Sequence, residues 1–259
     1  MNSANKIIIF VLVILIIVGI YYHYSSQNAS FKKPKIKSSS ERFNENLQSV
    51  NKTNFVIVTT TNGKVKGEKV IVDHVSVNAF LGIQYATAKR FEEPKKIVWK
   101  NIRNAFDMPP SCPQNELLSD LSAFKFLTPN FTEDCLYLNI FAPTNNNSMI
   151  KRPILVYIHG GLFSFGGIGT DELDGRYFAA KYNIVFIAIQ YRIGALGFIN
   201  IDDRINNFGL RDQQYALEWI RENSADFGGN EGQITVVGHG VETIGIMELS
   251  NKKLFHKSI

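Results

Sequence analysis

The stretch Ile234-Thr-Val-Val-Gly-His-Gly-Val-Glu242 decides how the rest of the chain is read. A β-branched apolar run meets a Gly-X-Gly turn and an apolar stretch follows, which reads as a strand, a sharp turn and the start of a helix. Working outward, apolar runs recur at Cys135 to Phe141, Ile154 to Ile158 and Ile184 to Gln190. They are nearly continuous, as expected of strands covered by helices on both faces. Leu210 to Asn223 reads as a helix that buries Ala216, Leu217 and Ile220 and directs Arg211, Glu218 and Glu222 elsewhere, with Gly228-Gly229 just beyond it. Ile234 to Val237 reads as the last strand. At the other end, Phe55 to Thr60 and Lys64 to Val72 flank Asn62-Gly63, a hairpin-turn dipeptide, and a third strand covers Val77 to Tyr85. Pro94 to Pro129 is proline-rich and irregular. This order predicts an α/β fold with a mostly parallel central sheet, helices on both faces and a small antiparallel hairpin at its N-terminal end. No internal repeat and no second globular domain is indicated.

With 259 residues, 45% of them hydrophobic, the chain has material for a sizeable core. The net charge of +5 is concentrated near the start: Lys6, Lys32, Lys33, Lys35, Lys37 and Arg42 stand against Glu41 and Glu45, leaving about +1 for the rest. A juxtamembrane cluster explains the basic balance, and no basic face or base-stacking motif for nucleic acid is present. From Ile7 to Tyr22 every residue is apolar, aromatic or glycine. The run is longer than a usual signal-peptide core and no Ala-x-Ala site follows, which favours a signal-anchor over residues 1–24; the alternative is a cleaved signal peptide and a secreted product. Residues 25–54, rich in Ser, Asn and Lys, read as a flexible stalk, and residues 55–259 as the folded domain. The lysines after the apolar run favour a cytosolic domain by the positive-inside rule. Four glycosylation sequons, at Asn28, Asn51, Asn130 and Asn146, favour a luminal or extracellular one.

An ordered set of segments resembles the type-B carboxylesterase and cholinesterase family of α/β-hydrolases. They are Gly63-Lys-Val-Lys-Gly67, Ala79-Phe-Leu-Gly-Ile-Gln-Tyr85 with Arg90-Phe91, Glu133-Asp-Cys-Leu-Tyr-Leu-Asn-Ile-Phe-Ala-Pro143 and Ile158-His-Gly-Gly-Leu-Phe163. Further along come Gln190-Tyr-Arg-Ile-Gly-Ala-Leu-Gly-Phe198, Asn207-Phe-Gly-Leu-Arg-Asp-Gln213 and Phe227-Gly-Gly-Asn230. The resemblance implies the N-terminal part of an α/β-hydrolase fold. It also implies a disulfide between Cys112 and Cys135, contributing about 3 kcal/mol in an oxidising compartment; the other reading is two free buried thiols. Structural ion pairs are implied for Arg90 with Glu133 and for Arg192 with Asp212.

The same resemblance places the nucleophile elbow, Gly-x-Ser-x-Gly, at Gly238-His-Gly-Val-Glu242. Acyl transfer there needs an oxygen nucleophile, a histidine to take its proton and an acid to orient the histidine. Gly240 supplies no nucleophile. Glu242 stands where the family has a small residue that lets helix and strand approach. A vestigial oxyanion hole is implied at the N–H groups of Gly161, Leu162 and Val241, with the leucine side chain crowding it. His239 and His159 read as packing or turn residues rather than bases. The family's acid and histidine follow the elbow at a distance, and the chain stops at Ile259, so about half of the family fold is expected to be missing and the last strand to present an open edge. Between Cys112 and Cys135 there are Phe124, Phe126 and Phe131 but no tryptophan for choline recognition.

A catalytically inactive, membrane-anchored member of this family is therefore expected, with an extracellular or luminal domain and a protein ligand. The neuroligins, adhesion members of the superfamily, share the glycine at the nucleophile position. The alternatives are a carboxylic-ester hydrolase and a non-functional fragment of a longer protein. No cofactor, metal or nucleic acid is implied.

Overall fold

The computed structural model describes residues 55–115, 130–144, 150–170, 173–200 and 207–259. The apolar run, the stalk, the sequons at Asn28, Asn51 and Asn146, and Phe124 and Phe126 lie outside the described residues. Among the described residues no helix is long and apolar enough to cross a membrane.

Nine strands among the described residues form one sheet: β1 Phe55–Thr60, β2 Gly63–Val72, β3 Val75–Gln84, β4 Arg103–Asn104, β5 Tyr137–Pro143, β6 Arg152–Ile158, β7 Val185–Ile189, β8 Gly229–Gly238 and β9 Lys257–Ser258. Among the described residues four helices accompany them: α1 Arg176–Tyr182, α2 Gly194–Phe198, α3 Phe208–Asn223 and α4 Glu242–Leu249. The spatial order is β1-β2-β3-β5-β7-β6-β8-β9, with β4 beside β2. The sheet is mixed. β7, β6, β8 and β9 run parallel, while β1, β2, β3, β5 and β7 pair in antiparallel fashion.

Alternation along β7 shows how the sheet is covered. All five residues are buried, but Val185, Ile187 and Ile189 join one core cluster and Phe186 and Ala188 the other. Residues two apart share a face, so the two clusters lie on opposite sides of the sheet. To the first, α3 contributes Ala216, Leu217, Trp219 and Ile220; to the second, α1 contributes Ala179. Each large aliphatic removed from water stabilises the fold by roughly 1.5–3 kcal/mol.

Three boundaries differ from the sequence reading, each for a tertiary reason. The turn of the first hairpin is Thr61-Asn62, and Gly63 already pairs with Thr60 in β2. Asn62 is drawn inward because its side chain accepts from Trp219 Nε1 at 2.7 Å and donates to the Tyr85 carbonyl at 3.3 Å. The Pro94–Pro129 region contains β4, whose two exposed residues carry no periodicity to betray it. Finally, β8 begins at Gly229 and is not the last strand: β9 pairs with Thr235 and Val236. The Ile234 carbonyl accepts from His256 N–H at 2.8 Å and the Val236 carbonyl from Ile259 N–H at 3.0 Å, so the edge expected to be open at β8 is occupied.

Candidate functional site

Ile158 is in register with Ile189 on one side and Gly238 on the other, so β7, β6 and β8 end at one level. The carboxyl ends of parallel strands are where open α/β sheets bind ligands. Here they bring together Gln190 to Arg192 after β7, His159 to Phe163 after β6, and His239 to Val241 after β8.

Gly240 has φ +76°, a left-handed conformation that glycine adopts without a steric penalty. It is exposed, and a Cβ built on it would have only Glu242 Oε2 within 4 Å, at 3.8 Å. The elbow geometry is present without any side chain to act as nucleophile. After β6, Gly161 has φ +134°, and a Cβ there would lie 1.9 Å from the Phe165 carbonyl oxygen, so this position too requires glycine. The Gly161 carbonyl accepts from Ser164 and Phe165 N–H at 2.9 and 3.1 Å. Gln114 clamps the far end of the loop, donating to the Gly166 carbonyl and accepting from its N–H, both at 2.8 Å.

Leu162 and Phe163 follow with φ +56° and +55°, an uncommon conformation for bulky residues. The Leu162 side chain is 66% exposed, so solvent rather than a packed pocket surrounds it. Among the described residues the N–H groups of Gly161, Leu162 and Val241 meet no hydrogen-bond acceptor.

Glu242 is accommodated by full burial beneath the turn. Its Oε1 accepts from the Phe163 N–H at 3.4 Å and from the Tyr191 hydroxyl at 3.1 Å. Burial raises its pKa above the usual carboxylate value, against the opposing pull of its own amide, the Phe163 amide, the Tyr191 hydroxyl and His239. The single Tyr191 hydroxyl proton is shared between Glu242 Oε1 and the His159 carbonyl, which lies 3.0 Å from the hydroxyl, and the Tyr191 and His159 rings stack with centroids 4.5 Å apart. Burial lowers the His159 pKa to about 4, so its imidazole is neutral at physiological pH. His239 is exposed, with its ring against Gly160. Neither histidine faces a hydroxyl or thiol at position 240, where there is none.

The surrounding pairs are structural. Cys112 and Cys135, 23 residues apart, form a disulfide. Arg192 binds buried Asp212 through two side-chain bonds, Nε to Oδ2 at 2.7 Å and Nη2 to Oδ1 at 2.8 Å, and its backbone N–H donates to Oδ2 at 3.1 Å. Arg90 and Glu133 pair at the surface, where water screens the bridge. Asn130 is exposed. Sequence reasoning gave no role to Gln114, Gln190 or Tyr191, although the last two lie in a quoted motif. Gln190 donates to the Pro110 and Cys135 carbonyls, both at 2.8 Å, tying the disulfide to the end of β7. A buried amide and phenol at the end of an apolar strand was the available signal.

A mixed sheet whose parallel strands end at a glycine loop and a left-handed strand–turn–helix elbow defines an α/β-hydrolase scaffold. The chain belongs to the carboxylesterase family, whose model matches residues 54–259. It is 38% identical over 224 residues to liver carboxylesterase 1F of Rattus norvegicus, covering 78% of this chain and 39% of that one. Neuroligin-2 of Mus musculus is 33% identical over 258 residues, covering 82% of this chain and 31% of neuroligin-2. Among solved structures, a thermophilic PNB esterase superposes with a TM-score of 0.69 at 36% identity, covering 78% of this chain and 43% of that esterase. The chain thus spans about two fifths of the length of the curated carboxylesterases it matches, at 39% of the first.

Proposed function

We propose that this chain is a non-catalytic member of the carboxylesterase family that serves as a binding scaffold. The observation that carries this reading is Gly240: the elbow keeps its left-handed turn at φ +76° but presents no nucleophilic atom. Glu242 supports it, because a buried carboxylate stands two residues after Gly240 where the family's elbow has a small residue. In this proposal residues 1–24 anchor the chain in a membrane, residues 25–54 form a stalk, and residues 55–259 face the lumen or the extracellular space and bind a protein ligand. The sequons, the disulfide and the likeness to neuroligin-2 favour that arrangement.

Likeness to liver carboxylesterases favours the second reading, ester hydrolysis. One experiment separates the two. The full chain is incubated with a short-chain aryl ester and, separately, with a fluorophosphonate label, followed by peptide mass mapping. Hydrolysis no faster than in a heat-denatured control and an unlabelled elbow peptide are the expected results. Enzymatic turnover abolished by covalent labelling would overturn the non-catalytic reading.

A further inference from the structure

Glu242 is a costly residue to have buried. It is fully inaccessible, and its Oε2 has no hydrogen-bond partner among the described residues. An unpaired carboxylate oxygen in such surroundings is ordinarily strongly disfavoured. Its other oxygen faces two donors from different loops at the carboxyl ends of β6 and β7: the amide of Phe163, and the hydroxyl of Tyr191, whose one proton it shares with the His159 carbonyl. The amide belongs to the second of two consecutive bulky residues with positive φ. That backbone is strained and needs something to hold it. A carboxylate accepting from the Phe163 amide supplies that hold from α4, across the mouth of the site.

We propose that Glu242 is an internal ligand: its carboxylate fills an anion site built by the Phe163 N–H and the Tyr191 hydroxyl, clamps the glycine loop, and leaves behind a site for a free small carboxylate when the side chain is cut back. This assignment stands apart from turnover, since it requires neither a nucleophile nor its absence. It makes Glu242 a positioning residue that closes the site from within.

Glutamate minus alanine is, atom for atom, the heavy-atom skeleton of acetate, which is therefore the probe. The thermal unfolding midpoint of full-length Glu242→Ala is measured in sodium acetate and in sodium chloride at matched ionic strength and pH. The expected result is a midpoint below wild type in chloride and a saturable rise in acetate. Bulky pivalate gives no such rise, and wild type does not distinguish the salts. A folded Glu242→Ala that responds equally to acetate and chloride overturns the proposal. So does a variant that shows no cooperative transition in acetate.

Deuterium exchange across residues 160–165 provides a second measurement in variants that keep the side-chain volume. Glu242→Gln, whose amide oxygen still accepts, keeps exchange near the wild-type rate. Glu242→Leu, with no acceptor, speeds exchange of the Phe163 amide by about tenfold. Equal rates in the two variants would contradict the clamp.

Discussion

At Gly240 the backbone conformation and the space around it make separate demands. A Cβ there would meet nothing closer than Glu242 Oε2 at 3.8 Å, an ordinary contact, so substitution is limited by φ +76° alone. Gly240→Ala should therefore cost about 1–2 kcal/mol, all of it backbone strain. Gly240→Ser carries the same strain but puts a hydroxyl beside the unpaired carboxylate oxygen, and a new hydrogen bond recovers about 1 kcal/mol. Urea unfolding of the two variants checks this, and serine no more stable than alanine would mean that Oε2 does not face position 240. The glycine at position 240 could be read from the residues themselves. How Glu242 fits could not, because its partners Tyr191 and Phe163 are 51 and 79 residues away in the chain.

Elements with a strong period were legible; those held by side-chain bonds were not. The helix α3 was found within two residues of its start from its apolar face, yet that face also buries Asp212 and Gln213. Asp212 is tolerated there because Arg192 meets it with a pair of bonds. The hairpin slipped by one residue because Asn62 bonds to Trp219 rather than obeying the turn preference of Asn-Gly. β4 and β9, two residues each, fall below the length at which alternation can be seen. Beside the disulfide, Gln190 donates to the carbonyls of Cys135 and of Pro110, just before Cys112. Opening the bridge releases a loop of sequence separation 23 in the unfolded state, so Cys112→Ala with Cys135→Ala should lower stability by about 3 kcal/mol. Chemical denaturation of the double variant measures it; a loss below about 1 kcal/mol would mean that the Gln190 bonds suffice.

For the molecule as a whole, acid should act through the floor of the site. His159 is neutral in the fold, with its pKa lowered from 6.5 to about 4 by burial, while the unfolded chain protonates it near its usual value. The unfolded state then binds more protons, so this contribution is complete above pH 6.5 and is lost as pH falls toward 4. Between pH 7 and pH 4.5 the loss is about 2–3 kcal/mol. Glu242, raised by burial, works in the opposite sense, its contribution fading as pH rises through its folded value. Comparing wild type with His159→Gln at the two pH values isolates the histidine: the variant should lose less stability on acidification, and parallel profiles would refute the assignment. The sequence by itself determined the family, the α/β order of elements and the glycine at position 240, because motif spacing and hydrophobic period are local properties. Only the tertiary structure decided that β8 has a neighbour and that Glu242 lies against the glycine loop. Burial and hydrogen bonding between residues far apart in the chain arise when β6, β7 and β8 end side by side, and no local pattern encodes that meeting.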